Sequence, residues 1–297
     1  MSEHNTTDMP DKGRLQIQVT SEVTALPISD AIVRISYTGM PDSQLEELRT
    51  DSSGQTETIE LETPPLEYSL NPAIESQPYS EYTLQIDAPG YEPVSIAGAE
   101  LLPTVTAVQN LSLRPSDSGQ SAEEVFVIPA HTLYGVYPPK IPEEEIKPVS
   151  ETGEIVLSRV VVPEYIVVHD GSPRDTTARN YYVKYKDYIK NVASSEIYAT
   201  WPEDTIRANV LAIMSFTLNR VYTEWYRNKG YDFTITSSTA FDQKWIYGRN
   251  IFQNISDVVD EMFGTAYAIR YGVDSTSLAN SASYRDALLD IFTVDWL

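Results

Sequence analysis

Glu196 stands where a carboxyl group is costly to keep ionised. Beyond Tyr185 the apolar residues recur at helical spacing, with Tyr188, Ile189, Val192, Ala193, Glu196 and Ile197 on one stripe, so one carboxylate shares the apolar face of an amphipathic helix. Desolvation raises the pKa of such a group. A carboxylic acid still protonated near neutrality can protonate a glycosidic oxygen and then act as the conjugate base. The other reading of the same spacing is that Glu196, at the helix end, snorkels to water or caps a neighbouring amide. Tyr198 and Trp201 flank it as candidate rings for stacking on a sugar. His169-Asp170-Gly171 is open to a metal or amidase reading, yet the other histidines, His4 and His131, fall in expected tail and linker, so a structural role is expected for it. Ser194 and Ser195 lack an organised histidine partner, which argues against a serine triad. With no cysteine in the chain, a thiol nucleophile, a disulfide framework and Cys-ligated zinc or iron–sulfur sites are excluded. No metal and no cofactor are expected.

These residues need elements to hold them. Thr200-Trp201-Pro202-Glu203-Asp204 puts proline at a first helical position with acids in the first turn, so a second helix starts there. It should run to about Tyr226 and, being apolar over most of its circumference, form the buried central helix. Asn228-Lys229-Gly230 supplies a stop, 231–239 reads as strand and loop, and a third helix is expected over 250–263. With β-branched stretches at 155–157 and 160–168 ahead of them, the order is strand, helix, helix, strand, helix, which predicts an α+β domain over 155–264. The first half has the other period. Leu15, Ile17 and Val19 alternate with Gln16, Gln18 and Thr20, and further strands are expected at 31–37, 56–61, 82–86 and 108–113. Turn chemistry separates them at 26–30, 51–55 and 88–91. Such a run of short strands predicts an antiparallel β-sandwich over 13–114. Residues 1–12 read as a disordered tail, 115–154 as a Pro/Ser/acidic linker with an extended proline-rich segment at 137–142, and 265–297 as a C-terminal tail.

A length of 297 residues suits this two-domain division. The 43 acidic and 21 basic side chains give a net charge of −22, which excludes a broad basic face for nucleic acid. The charge is uneven: residues 1–150 hold 24 acids and 7 bases, net −17, against 19 and 14, net −5, in residues 151–297. Residues 1–11 carry three acids and no base and lack the charged and apolar regions of a secretory signal. No apolar run of about 18 residues occurs, so neither membrane insertion nor a membrane anchor is expected, and the chain is expected to be cytoplasmic as made.

Two resemblances sharpen this picture. In the first half, Pro27-Ile28-Ser29-Asp30-Ala31, the turn Thr50-Asp51-Ser52-Ser53-Gly54-Gln55 and the strand and exit Tyr82-Thr83-Leu84-Gln85-Ile86-Asp87-Ala88-Pro89-Gly90-Tyr91 resemble the carboxypeptidase regulatory-like domains. That resemblance implies a transthyretin-like fold and a non-catalytic spacer or adhesion module. In the second half, Asp187-Tyr188-Ile189-Lys190-Asn191-Val192-Ala193-Ser194-Ser195-Glu196-Ile197-Tyr198-Ala199-Thr200-Trp201-Pro202, followed by Ile206-Arg207-Ala208-Asn209-Val210-Leu211-Ala212, resembles the core of the sporulation stage II protein D family, over about 184–263. These are bacterial peptidoglycan lytic transglycosylases, in which the sugar's own 6-hydroxyl attacks the anomeric carbon without water. The resemblance implies that Glu196 is the acid/base, that Arg207 keeps the charge of a family lysine, and that Gln243 is retained from a Gln-Val-Tyr. Arg207, Tyr198, Trp201 and Gln243 are then the expected substrate-binding residues. Three departures accompany it. Met214 occupies the position of a family arginine, residues 235–243 lack the family's zinc-binding His/Cys, and the 34 residues after Phe263 hold no counterpart of its later half.

Two functions are therefore carried forward. One is lytic-transglycosylase-like cleavage or remodelling of glycan strands with Glu196 as acid/base; the other is a non-catalytic peptidoglycan-binding or structural protein of a spore layer or phage-tail-like particle. In both the expected partner is the glycan strand of peptidoglycan, with a protein partner held through the sandwich. The less acidic C-terminal half suits the carboxylate-rich wall, and the acidic half should face away from it.

Overall fold

The computed structural model describes residues 10–40, 42–116, 123–142 and 161–271. Most of the expected tails at 1–12 and 265–297, residues 117–122 and 143–154 of the expected linker, and the stretch at 155–157 thus lie outside the described residues. Alternation builds the first half. In β1 (Asp11–Ser21), Leu15, Ile17 and Val19 are fully buried while Gln16, Gln18 and Thr20 stay half-exposed. The strand pairs antiparallel with β4 (Ile59–Thr63) and parallel with β7 (Thr106–Leu113). The opposing sheet has the order β3 (Gln44–Arg49), β2 (Ile32–Tyr37), β5 (Ser80–Asp87), β6 (Val94–Leu101) and β8 (Glu124–Val127). Val33, Ile35, Leu84, Ile86 and Ile96 from this sheet meet the inner face of the first in one apolar core. The first half is a β-sandwich.

Four features differ from the expectation. β3 and β6 were not foreseen: five of the six β3 side chains are exposed, leaving an edge strand without alternation, and β6 is buried almost throughout. The sandwich is mixed rather than antiparallel, because β1–β7 and β6–β8 run parallel. A helical turn, α1 (Glu67–Leu70), interrupts the strands. β8 comes from the stretch read as linker, and His131 in the same stretch is fully buried.

The second half places the hairpin of β9 (Tyr165–His169) and β10 (Asn180–Lys184) beside β11 (Ile235–Thr236), with β9 in the middle. Three helices follow the predicted periods: α2 (Tyr185–Glu196), α3 (Glu203–Tyr222) and α4 (Gln253–Tyr271). The last extends past 263 into the expected tail. Pro202 sits immediately before the first helical residue of α3, where its missing N–H is not needed.

The two halves share one interior. β12 (Ile251–Phe252) crosses to the sandwich and pairs antiparallel with β7, Ile251 opposite Val108 and Phe252 opposite Ala107. Asn250 clamps the backbone of Glu100, accepting from its N–H at 3.1 Å and donating to its carbonyl at 2.8 Å. Beside it, Arg249 Nη2 donates to Glu100 Oε2 at 2.6 Å and to the Ser194 carbonyl, an ion pair in which the side chains are 0% and 1% exposed. The apolar core runs without interruption from Leu15 and Ile17 to Tyr188, Val192 and Ile255.

Candidate functional site

Glu196 is the last residue of α2, beyond which the backbone turns extended at Ile197. Its stripe neighbours Tyr188, Ile189, Val192 and Ala193 are fully buried, while Glu196 itself is half-buried. Burial pushes its carboxyl up to about 7, against the opposing effects of a 2.6 Å hydrogen bond accepted from the Lys244 N–H and of the Lys140 charge. Both readings of its position are therefore present together: a raised pKa and an amide held by the carboxylate. Lys140 comes from the proline-rich segment, which lies against the second half. Its Nζ donates to the Asp242 carbonyl at 2.8 Å and sits over the Phe216 ring, and the Ile141 N–H donates to the Ala240 carbonyl.

The other predicted site residues are placed as follows. Trp201 turns toward the sandwich, its indole N–H donating to the Ser69 carbonyl at 3.0 Å in α1, while Thr200 bonds the Ser69 hydroxyl at 2.7 Å. Tyr198 is buried, its ring 4.6 Å from that of His131 and edge-on to Trp201 at 5.9 Å. Gln243 is buried and bonded within the protein: its Oε1 accepts from Tyr188 OH and Thr217 Oγ1, and its Nε2 donates to the Ile213 carbonyl. Arg207 is clamped between Glu203 and Glu261, each at 2.8 Å, which raise its pKa further. Glu196, Tyr198 and Trp201 follow one another along the chain; Gln243 adjoins the Lys244 that bonds Glu196, and Arg207 points to carboxylates instead. Met214 is buried and offers its carbonyl to Tyr185 OH.

The weaker candidates also resolve. His169 bonds Asn180 Oδ1 at 2.7 Å and the Ser172 carbonyl at 3.1 Å while stacking on Phe233 at 4.4 Å. Ser194 and Ser195 are fully buried; the Ser194 hydroxyl accepts from the Phe252 N–H and that of Ser195 donates to the Asn191 carbonyl. Among the described residues no group of three metal-ligating side chains is placed to hold an ion.

Two polar centres escaped the sequence reading. Asp242 is a buried hub that accepts from Arg220 Nε, Tyr226 OH, and the amide and hydroxyl of Thr236 at 2.6–2.9 Å. Glu100, Arg249 and His131 form the second. Burial raises the Glu100 pKa against the pull of Arg249, while burial and the Arg249 charge hold His131 well below the usual imidazole range. Glu100 left one signal, a lone acid in the apolar run Val94-Ser95-Ile96-Ala97-Gly98-Ala99-Glu100-Leu101-Leu102. A cleft of about 490 Å³ opens where the sandwich meets α2 and the 245–256 stretch, and a cavity of about 140 Å³ lies between β9 and the end of α3. Glu196 lines neither.

No protein-family model and no curated protein matches the sequence. Among solved structures the chain is similar to the Bacillus anthracis TIE protein, with 17% identity, a TM-score of 0.24 and coverage of 35% of this chain and 17% of that one. It is also similar to GBS52, the minor pilin of Streptococcus agalactiae, at 13% identity and TM-score 0.25, covering 38% of this chain and 49% of that one. A third is the 5-hydroxyisourate hydrolase of Klebsiella pneumoniae, at 14% identity and TM-score 0.23, covering 35% and 91%. The chain thus spans less than half the length of the first two. Such scores carry no functional argument, and the sandwich rests on its own strand order. No helix of the described residues is long and apolar enough to cross a membrane.

Proposed function

We propose that this chain is a non-catalytic, peptidoglycan-directed protein, a glycan-binding or structural component of the cell wall, a spore layer or a phage-tail-like particle. Its direction toward the wall rests on the resemblance of residues 184–263 to the sporulation stage II protein D family. Its lack of catalysis rests on one observation: the side chains expected to form a groove around Glu196 are already engaged. Trp201 and Tyr198 pack against α1 and His131, Gln243 bonds Tyr188, Thr217 and the Ile213 carbonyl, and Arg207 is held by two carboxylates. Sedimentation with purified sacculi tests the reading. The protein should be retained while releasing no fragments, and failure to be retained sinks wall binding.

A second reading, lytic-transglycosylase-like cleavage, is favoured by the Glu196 pKa of about 7, which suits a group that must give and regain a proton near neutrality. It requires anhydro-muropeptides to appear on incubation with sacculi and to disappear with Glu196→Gln.

A further inference from the structure

The cleft between the halves has the chemistry of a sugar site, and none of it belongs to the Glu196 region. Its floor is the β1–β7 pair, where parallel register puts Gln18 beside Asn110 on one face of the sheet. Both side-chain amides are free of hydrogen bonds among the described residues, as are the Asp187 carboxylate on α2 and the Ser256 hydroxyl on α4. The facing wall is aromatic. Tyr247 and Trp245 line it, and Tyr181 packs on them at 4.8 Å and 5.3 Å.

Trp245 supplies an independent observation. The residue is 5% exposed, and its indole N–H donates to nothing among the described residues. The residue lines the cleft, and its indole nitrogen is not among the fully sealed polar atoms of the described residues. A buried donor left open in this way matches a ligand acceptor. Charge narrows the class. Lys190 is ion-paired with Asp260 at 2.8 Å and Arg249 Nη2 with Glu100 at 2.6 Å, so both cations among the lining residues already have a carboxylate partner. Paired amides, a carboxylate and a hydroxyl bind groups that both donate and accept, and tyrosine and tryptophan rings bind C–H faces. A volume of about 490 Å³ falls within the range of roughly 300–1,000 Å³ usual for small-molecule sites.

We infer that this cleft binds a neutral N-acetylated saccharide, the Trp245 N–H and the Gln18 and Asn110 amides bonding its acetamido and hydroxyl groups while Asp187 accepts from hydroxyls. The inference deepens the wall-binding reading and rests on it for the choice of sugar.

Chitotetraose is the probe, titrated into the full chain by calorimetry and by NMR of the ¹⁵N-indole signals. Binding should be saturable and should shift the Trp245 indole resonance. The affinity should fall about tenfold in Gln18→Ala/Asn110→Ala and several-fold in Trp245→Phe, each melting like the wild type. No saturable binding, an unmoved Trp245 resonance, or equal affinity in folded cleft variants overturns the inference; the resonance decides if a variant fails to fold. Sacculus sedimentation separates the two readings. Retention that survives the cleft substitutions keeps wall binding and discards the cleft. Chitotetraose binding without retention keeps the cleft and discards wall binding.

Discussion

At the scale of the residue, Glu196 couples its environment to stability in a direction that can be worked out. Its ordinary value of 4.5 is raised to about 7 by burial, so between those limits the folded protein binds more protons than the unfolded chain. Stability attributable to this group is therefore complete below about pH 4.5 and is lost as the pH rises through 7. Glu196→Gln keeps an acceptor for the Lys244 N–H and removes the titration. By urea denaturation the variant should match the wild type at pH 4 and exceed it by on the order of 2–3 kcal/mol at pH 8. Parallel pH profiles would refute the raised pKa. This much was legible in the sequence, since a carboxylate on an apolar stripe needs only helical geometry to be seen. Arg249 was not, because its partner Glu100 lies 149 positions away and no periodicity links a loop arginine to a strand acid. Nor was the partner of Trp201: its ring could be placed near Glu196 from spacing, but its N–H finds Ser69, 132 positions away.

At the scale of the element, the strands with clean alternation were readable and those set by neighbours were not. β1 announced itself through Leu15, Ile17 and Val19. β8 did not, because it is a four-residue strand in a stretch of linker-like composition, held by its pairing with β6. Gly98 allows that arrangement. It adopts φ +86°, and a Cβ there would strike the Ile128 carbonyl oxygen just beyond β8. The Ile128 N–H also donates to the Ala97 carbonyl at 2.8 Å. Gly98→Ala should cost about 2 kcal/mol or more and free the 124–128 segment from protection in hydrogen exchange. Unchanged protection there would count against the role of Gly98.

At the scale of the molecule, the parts expected to be independent domains share an interior and a buried charge pair. Removing one partner leaves the other buried and unpaired, whereas replacing both with apolar groups restores a matched interior. Arg249→Met should therefore lower stability by about 3–5 kcal/mol, and Glu100→Leu/Arg249→Met should recover much of that loss in a chemical-denaturation series. Equal losses in the single and double variants would show that the pair is not coupled. This joint positions α1 and the 130–142 segment against Trp201, Tyr198 and the surroundings of Glu196, so the same packing that unites the halves occupies the residues a catalytic groove would need. Analysis of the soluble products after incubation with purified sacculi tests that claim most directly. Retention of the protein on the sacculi with no anhydro-muropeptides in solution is predicted; anhydro-muropeptides released by the wild type and absent with Glu196→Gln would contradict it.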